Sequence, residues 1–171
     1  MSRAQQILLV VLRTVIGWHF LYEGYFKLMT PGWGPDGLPL RAWSSAGYLH
    51  GATGPLAGLF HAVGASSWVG SVDVLIPFAL AAIGLGLMLG LFTQLAGAGG
   101  MALLTLFYLS AIPTSGLPEP RLEGAYLLVN KTLIELAALS VVHAFRTGRI
   151  AGIDRMFATP RHRRVLGEAT A

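Results

Sequence analysis

Residues 8–28, LLVVLRTVIGWHFLYEGYFKL, form an apolar run that carries four ionisable side chains. The run is long enough to cross a lipid bilayer, since about 20 mainly apolar residues span the hydrocarbon core. Ionisable groups at that depth are costly and persist only where they are paired or face a protein interior. His19, Glu23 and Lys27 recur every four residues and therefore share one face of a helix. Together with Arg13, they predict partner helices that bring opposite charges to the same depth.

The composition is typical of an integral membrane protein. Of the 171 residues, 54% are hydrophobic and only 12% are charged, whereas a soluble domain carries about 25% charged residues. The long apolar runs predict an all-α fold, an integral membrane four-helix bundle. Its spans are expected at about 6–28, 69–91, 95–112 and 124–145. They make up one transmembrane domain over 1–145, and a basic cytoplasmic tail follows over 146–171.

Residues 38–68, between the first two spans, are too numerous for a simple connector. Trp43, Tyr48 and Trp68 in this segment are of residue types that favour the headgroup level of a bilayer. We therefore expect one or two short helices, which either lie at the membrane surface or fold back over the bundle.

The basic residues predict the orientation of the chain. One face of the membrane receives Arg3 and the six arginines of the tail, and the other receives Lys27, Arg41 and Arg121. By the positive-inside rule both termini are cytoplasmic, and an even number of spans gives the same result. Basic residues beside a span indicate topology and contact with lipid headgroups rather than binding to nucleic acid.

Charged residues of different spans are expected at matching depths, counted at 1.5 Å of rise per residue. In the cytoplasmic half, Arg13 can meet Glu135 in a structural ion pair. In the outer half, Lys131 can meet Glu23 or Asp73. Paired charges of this kind can serve only to hold helices in register, so a purely structural role stays open for both groups.

The outer group also has the composition of a proton-transfer site. His19 and Asn130 are expected at the depth of Lys131 as hydrogen-bonding neighbours. Quinone reduction needs protons delivered to buried carbonyl oxygens, and Glu, Lys and His can donate them. The candidate catalytic residues are Glu23, Lys131 and His19, and the candidate cofactor-binding residues are Asn130, Asp73 and Trp18. A small anion held by Lys131 against apolar walls is an alternative ligand.

Neither a metal site nor a covalently bound cofactor is expected. His19 and His143 differ by more than about 10 Å in expected depth, so they do not share a haem. His19 alone as an axial haem ligand stays open. The candidate ligands are too few for zinc, and the absence of cysteine excludes disulfides and iron–sulfur ligation within the chain.

The order of these segments resembles that of the DoxX/DoxD family of small four-helix membrane proteins. The resemblance is carried by RTVIGWHFLYEGYFK at 13–27, WSSAGYL at 43–49, GPL at 54–56, NKTLIE at 130–135 and TGRIAGID at 147–154. The last two are similar to the family patterns N-K-x-x-I-E and T-G-R-x-x-G-x-D. The match covers nearly the whole chain in order.

The resemblance implies two functions of different classes. The DoxD branch resembles the large subunit of a thiosulfate:quinone oxidoreductase, which implies a quinone-reducing subunit completed by a small partner subunit. Other members imply a non-catalytic accessory or assembly subunit of a larger membrane complex. Either way, the implied location is the inner membrane of a bacterial or archaeal cell, crossed several times. A transporter is a third alternative.

Overall fold

The computed structural model describes residues 1–29, 43–112 and 127–157. The regular elements of these residues are all helices, as the all-α prediction requires. They are α1 (Arg3–Met29), α2 (Ala46–His50), α3 (Ala57–Gly64), α4 (Val69–Leu89), α5 (Thr93–Ser110), α6 (Lys131–Ala144) and α7 (Asp154–Phe157), with a 3-10 turn at Thr147–Arg149.

Helices α1, α4 and α5 begin and end within three residues of the first three expected spans. The fourth helix differs, because α6 begins at Lys131 rather than near residue 124. The chain just before it is not helical: Leu128 has a left-handed φ of 64°. Asn130 is extended and its side chain accepts a hydrogen bond from the backbone N–H of Leu133. That contact is an N-cap, which satisfies a free donor at the helix start and so defines the boundary.

The four longer helices contact one another in a ring, α1 with α4, α4 with α5, α5 with α6, and α6 with α1. They enclose one apolar core, formed by Ile16, Phe20, Leu80, Leu87, Ala96, Leu104, Leu139 and Val142. Neighbours in the ring run antiparallel, since Gly24 lies against Pro77 near the start of α4 and Gly17 lies against Met88 near its end. Consequently α1 begins and α6 ends at the same end of the ring.

Helices α2 and α3 fold back over the opposite end of the ring. The backbone N–H groups of Thr53 and Gly54 donate to the carbonyl oxygen of Ser110 at 2.8 and 2.9 Å. The Tyr48 and Ser110 hydroxyls also hydrogen-bond. Of the one or two short helices expected in this segment, the structure shows two, and they close the end of the ring where α1 and α5 finish.

Two described helices, α1 and α4, are long and apolar enough to cross a membrane. Their most apolar 18-residue windows have mean hydropathies of 1.4 and 2.3, yet only 22% and 28% of those windows is buried in the protein. A helix that is apolar but largely unburied differs from the core helix of a soluble protein, whose apolar face is covered. Most residues of these two windows are therefore not buried in the protein.

Candidate functional site

The chain after α6 returns to the ring and packs against it. We call residues Thr147–Phe157 the clasp, and the end of the ring that it covers the clasp end. Thr147 and Gly148 are buried, and the backbone N–H of Asp154 donates to the carbonyl oxygen of Gly90 at 2.8 Å. The first part of the expected basic tail is thus packed on the helices, and residues 158–171 lie outside the described residues.

The clasp provides the partner of Arg13. The buried Arg13 guanidinium donates from Nη1 to the carbonyl oxygen of Ala151 at 2.6 Å. Within the described residues, no ion pair joins Arg13 to Glu135. The expected Arg13–Glu135 pair is therefore wrong. Arg13 lies about 9 Å below His19 along α1, at the level of the clasp, whereas the Glu135 carboxylate is level with His19.

Asp154 ties the clasp to the first turn of α5. Its carboxylate accepts hydrogen bonds from the backbone N–H groups of Phe92 and Thr93 at 2.7 and 2.9 Å, and from the Thr93 hydroxyl at 2.6 Å. Burial acts to raise the pKa of Asp154, but these hydrogen bonds and the nearby Arg13 charge outweigh it, so the pKa lies below its ordinary value. The carboxylate therefore caps α5 in its ionised form.

Replacing this carboxylate should have a pH-dependent effect. A group whose pKa is depressed by folding stabilises the protein above its ordinary pKa, and that contribution disappears as the pH falls through the folded-state value. Asp154→Asn is expected to cost about 1 kcal/mol near neutral pH, the typical value of an N-cap. Thermal unfolding in detergent should show this difference shrinking below about pH 4. An equal difference at about pH 3 and about pH 7 would contradict the capping role.

His19 lies between two carboxylates from different helices. Its Nδ1 is 2.6 Å from Oε1 of Glu135 on α6, and its Nε2 is 4.0 Å from Oε1 of Glu23 on α1. An ionised carboxylate can only accept, so with Glu135 in that form the proton of this hydrogen bond is on Nδ1. The His19 side chain is 55% exposed and that of Glu135 is 15% exposed, so the ring opens to the outside while its partner is largely covered.

Lys27 extends this cluster towards the end of α1. It forms an ion pair with Glu23, four residues earlier on the same helix. Its ammonium also lies 5.7 Å from the centroid of the Trp43 ring, within cation–π range. We call Glu135, His19, Glu23 and Lys27 the polar line, because His19, Glu23 and Lys27 follow one another along α1 from its middle to its end and Glu135 of α6 contacts the first of them.

The partners expected for Lys131 are engaged elsewhere. Within the described residues, no ion pair joins Lys131 to Glu23 or to Asp73. Glu23 pairs with Lys27 on its own helix, and the Asp73 carboxylate accepts from the backbone N–H and hydroxyl of Ser45, both at 2.6 Å. Lys131 is exposed at the start of α6.

The three candidate cofactor-binding residues do not lie together. Asp73 connects α4 to the α2–α3 segment, and Asn130 caps α6. Trp18 is exposed on α1 and stacks on Tyr22, with ring centroids 6.3 Å apart. Of the eight residues singled out from the sequence, the structure thus brings His19, Glu23 and Glu135 into direct contact range.

Among the described residues, no three His, Cys, Asp or Glu side chains are placed to hold a metal ion. Comparison of this chain with protein-family models, with curated proteins and with solved structures finds no match.

Proposed function

We propose that the chain is a multi-pass membrane protein of the DoxX/DoxD type, with its four longer helices forming a membrane bundle. The proposal is supported by the length and apolar composition of α1 and α4, whose most apolar windows are largely unburied in the protein. In this arrangement the clasp end is cytoplasmic, since Arg3, Arg146 and Arg149 are at that end and cytoplasmic segments are rich in basic residues. Helices α2 and α3 then lie at the outer interface of a bacterial or archaeal inner membrane.

We further propose that the polar line delivers protons to a quinone. The observation that supports this most directly is the position of His19, an exposed imidazole flanked by carboxylates and about 15 Å from the outer end of α1. Charged groups at such a depth are costly unless they are functional or paired. Quinones dissolve in the hydrocarbon core, so a headgroup can approach the open side of the His19 ring from the lipid.

The His19 ring has an atom available for such a ligand. Within the described residues, Nε2 forms no hydrogen bond, because Glu23 is 4.0 Å away. When both ring nitrogens carry protons, Nδ1 donates to Glu135 while Nε2 can donate to a quinone carbonyl oxygen. Glu23 and Lys27 connect His19 to the outer end of α1. Protons that His19 gives to the quinone can then be replaced from the aqueous side along these two residues.

The reaction balances with a small external reductant. Reduction of a quinone to a quinol takes up two electrons and two protons. In this proposal the polar line supplies the protons, and thiosulfate or a similar small sulfur anion supplies the electrons, two thiosulfate ions joining to form tetrathionate. A partner subunit is proposed to bind that donor, by analogy with the DoxD resemblance.

Native mass spectrometry of the protein in mild detergent tests whether a quinone binds at His19. The wild-type protein incubated with ubiquinone-1 should retain one adduct of that mass. His19→Gln keeps a polar side chain, but its donors are both on one nitrogen and cannot contact Glu135 and a quinone on opposite sides as the two ring nitrogens can. We therefore expect at least about a fivefold loss of the adduct, the value of one hydrogen bond.

His50→Gln is the matched control for this binding test, since His50 is a histidine outside the polar line. It should retain the adduct at the wild-type level. Equal retention by wild type, His19→Gln and His50→Gln would exclude His19 as the quinone contact. Equal loss in both variants would show that histidine replacement acts through the fold instead.

A second candidate is a non-catalytic accessory or assembly subunit of a larger membrane complex. The exposed, stacked rings of Trp18 and Tyr22 on α1 favour it, because aromatic side chains are enriched at protein–protein contacts. Replacing both by Leu keeps the surface apolar while removing the rings. If a partner complex then no longer co-purifies while the quinone adduct persists, the accessory role applies to this face.

A further inference from the structure

An open cleft of about 370 Å³ lies at the clasp end, between the first turn of α5 and the clasp. Two arginines, Arg146 and Arg149, line it together with the apolar side chains of Phe92, Leu95 and Phe157. This cleft is separate from the polar line, and nothing inferred from it depends on quinone chemistry.

The two arginines of the cleft have no acidic partner within the described residues. Both are exposed, and neither forms an ion pair there. Asp154 also lines the cleft, but both of its carboxylate oxygens accept hydrogen bonds from the start of α5. Two guanidinium groups therefore line the cleft without an acidic partner from the part of the chain that the structure describes.

Arg146 has a backbone conformation that its side chain does not favour. Its φ and ψ are 47° and 49°, in the left-handed region that Gly and Asn adopt at lower cost. Other residues of this region have clear internal roles. Gly152, for example, packs directly on Gly90, and a Cβ atom at residue 152 would lie 2.7 Å from Gly90 Cα. Within the described residues, the side chains of Arg146 and Arg149 have no such internal role, which leaves both available to a ligand.

The apolar wall of the cleft identifies the kind of partner. Phe92, Leu95 and Phe157 are 68%, 74% and 73% exposed, beside two arginines whose planar guanidinium groups match phosphate oxygens. A free anion would leave these three side chains uncovered. A molecule with a phosphate at one end and hydrocarbon at the other can contact both the arginines and the apolar side chains of the cleft.

We propose that this cleft binds an anionic phospholipid, with Arg146 and Arg149 on its phosphate and with Phe92, Leu95 and Phe157 against its acyl chains. Basic side chains at a cytoplasmic membrane surface are attracted to anionic headgroups. The lipid would also cover the junction between the clasp and α5, and so would stabilise the contact that Asp154 makes.

Native mass spectrometry with defined lipids tests the proposal on the full-length chain. The wild-type protein should retain one phosphatidylglycerol in preference to phosphatidylcholine. The double variant Arg146→Asn/Arg149→Gln should lose that preference by about 25-fold, since each basic residue near an anionic surface contributes about a fivefold effect. Asn is chosen at 146 because it tolerates the left-handed backbone.

Arg155→Gln is the matched control, because Arg155 is an exposed clasp arginine that is not among the residues lining the cleft. It should keep the preference for phosphatidylglycerol. A preference that survives in the double variant, or is lost equally in Arg155→Gln, would overturn the assignment. Inorganic phosphate at about 10 mM screens charges only modestly. If it displaces the lipid fully at that concentration, the cleft recognises the free anion and the lipid proposal is also overturned. Thermal unfolding of each variant shows whether it is folded. The single variant Arg149→Gln leaves the left-handed residue 146 unchanged, so it tests the cleft even if the double variant does not fold.

Discussion

Gly84→Ala is expected to separate α1 from α4 and to destabilise the protein strongly. A Cβ atom at residue 84 would lie 2.6 Å from Leu21 Cα and 2.7 Å from the carbonyl oxygen of Gly17, and it would also contact the Leu21 backbone nitrogen. All three are backbone atoms, which cannot move aside without moving a helix. Overpacking of this kind costs about 1–3 kcal/mol, which corresponds to a fall of about 2–12 °C in melting temperature for a chain of this size.

Gly70→Ala is the matched control for this substitution. Gly70 lies on the same helix, and a Cβ atom there would meet nothing within 4 Å. Because Ala is favoured over Gly in a helix, Gly70→Ala should melt at or slightly above the wild-type temperature. Thermal unfolding in detergent, followed by circular dichroism, gives both values. If the two variants melted alike, the close approach of α1 and α4 at Gly84 would be disproved.

The positions of most helices could be predicted from the sequence, because long apolar runs separated by polar or glycine-rich turns locate them. The start of α6 could not be predicted from hydropathy. Apolar residues at 127–129 continue the run before Asn130, although Leu128 is left-handed and Asn130 is a cap. An Asn before a helical run is itself a recognisable N-cap, and giving it more weight than hydropathy would have placed the boundary correctly.

The candidate site could be predicted only in part. The spacing of His19, Glu23 and Lys27 predicted one charged helical face, and the contact of Glu23 with Lys27 follows from that spacing alone. The partner of Arg13 could not be predicted by matching depths between helices, because it is the Ala151 carbonyl of the clasp. Helix positions alone do not indicate that a segment after the last long helix folds back onto the ring. The glycines of TGRIAGID, at 148 and 152, were the available indication that this segment packs closely.

If the chain reduces a quinone as proposed, loss of the His19–Glu135 contact is expected to have the largest effect on the rate. General acid catalysis contributes about 10²–10⁴-fold to a rate, so His19→Gln should slow quinol formation by at least about 100-fold. Glu135→Gln should also slow it, because an amide can orient the ring through its oxygen but carries no charge to balance a protonated imidazole. The assay follows quinone absorbance with thiosulfate as donor, in native membranes that would contain the proposed partner subunit.

The comparison that distinguishes proton delivery from structural support is between Glu135→Gln and Lys131→Gln. Lys131 is exposed, is four residues from Glu135 on the same helix and forms no ion pair within the described residues. If the polar line delivers protons, Lys131→Gln should retain most of the rate, whereas Glu135→Gln should lose it with little change in melting temperature. If the His19–Glu135 contact is only structural, the result should be the opposite. Glu135→Gln would then melt at a lower temperature, and its rate would fall only in proportion to the amount of folded protein that remains. Because rate and stability are measured on the same samples, the two outcomes separate a proton-transfer site from an internal ion pair.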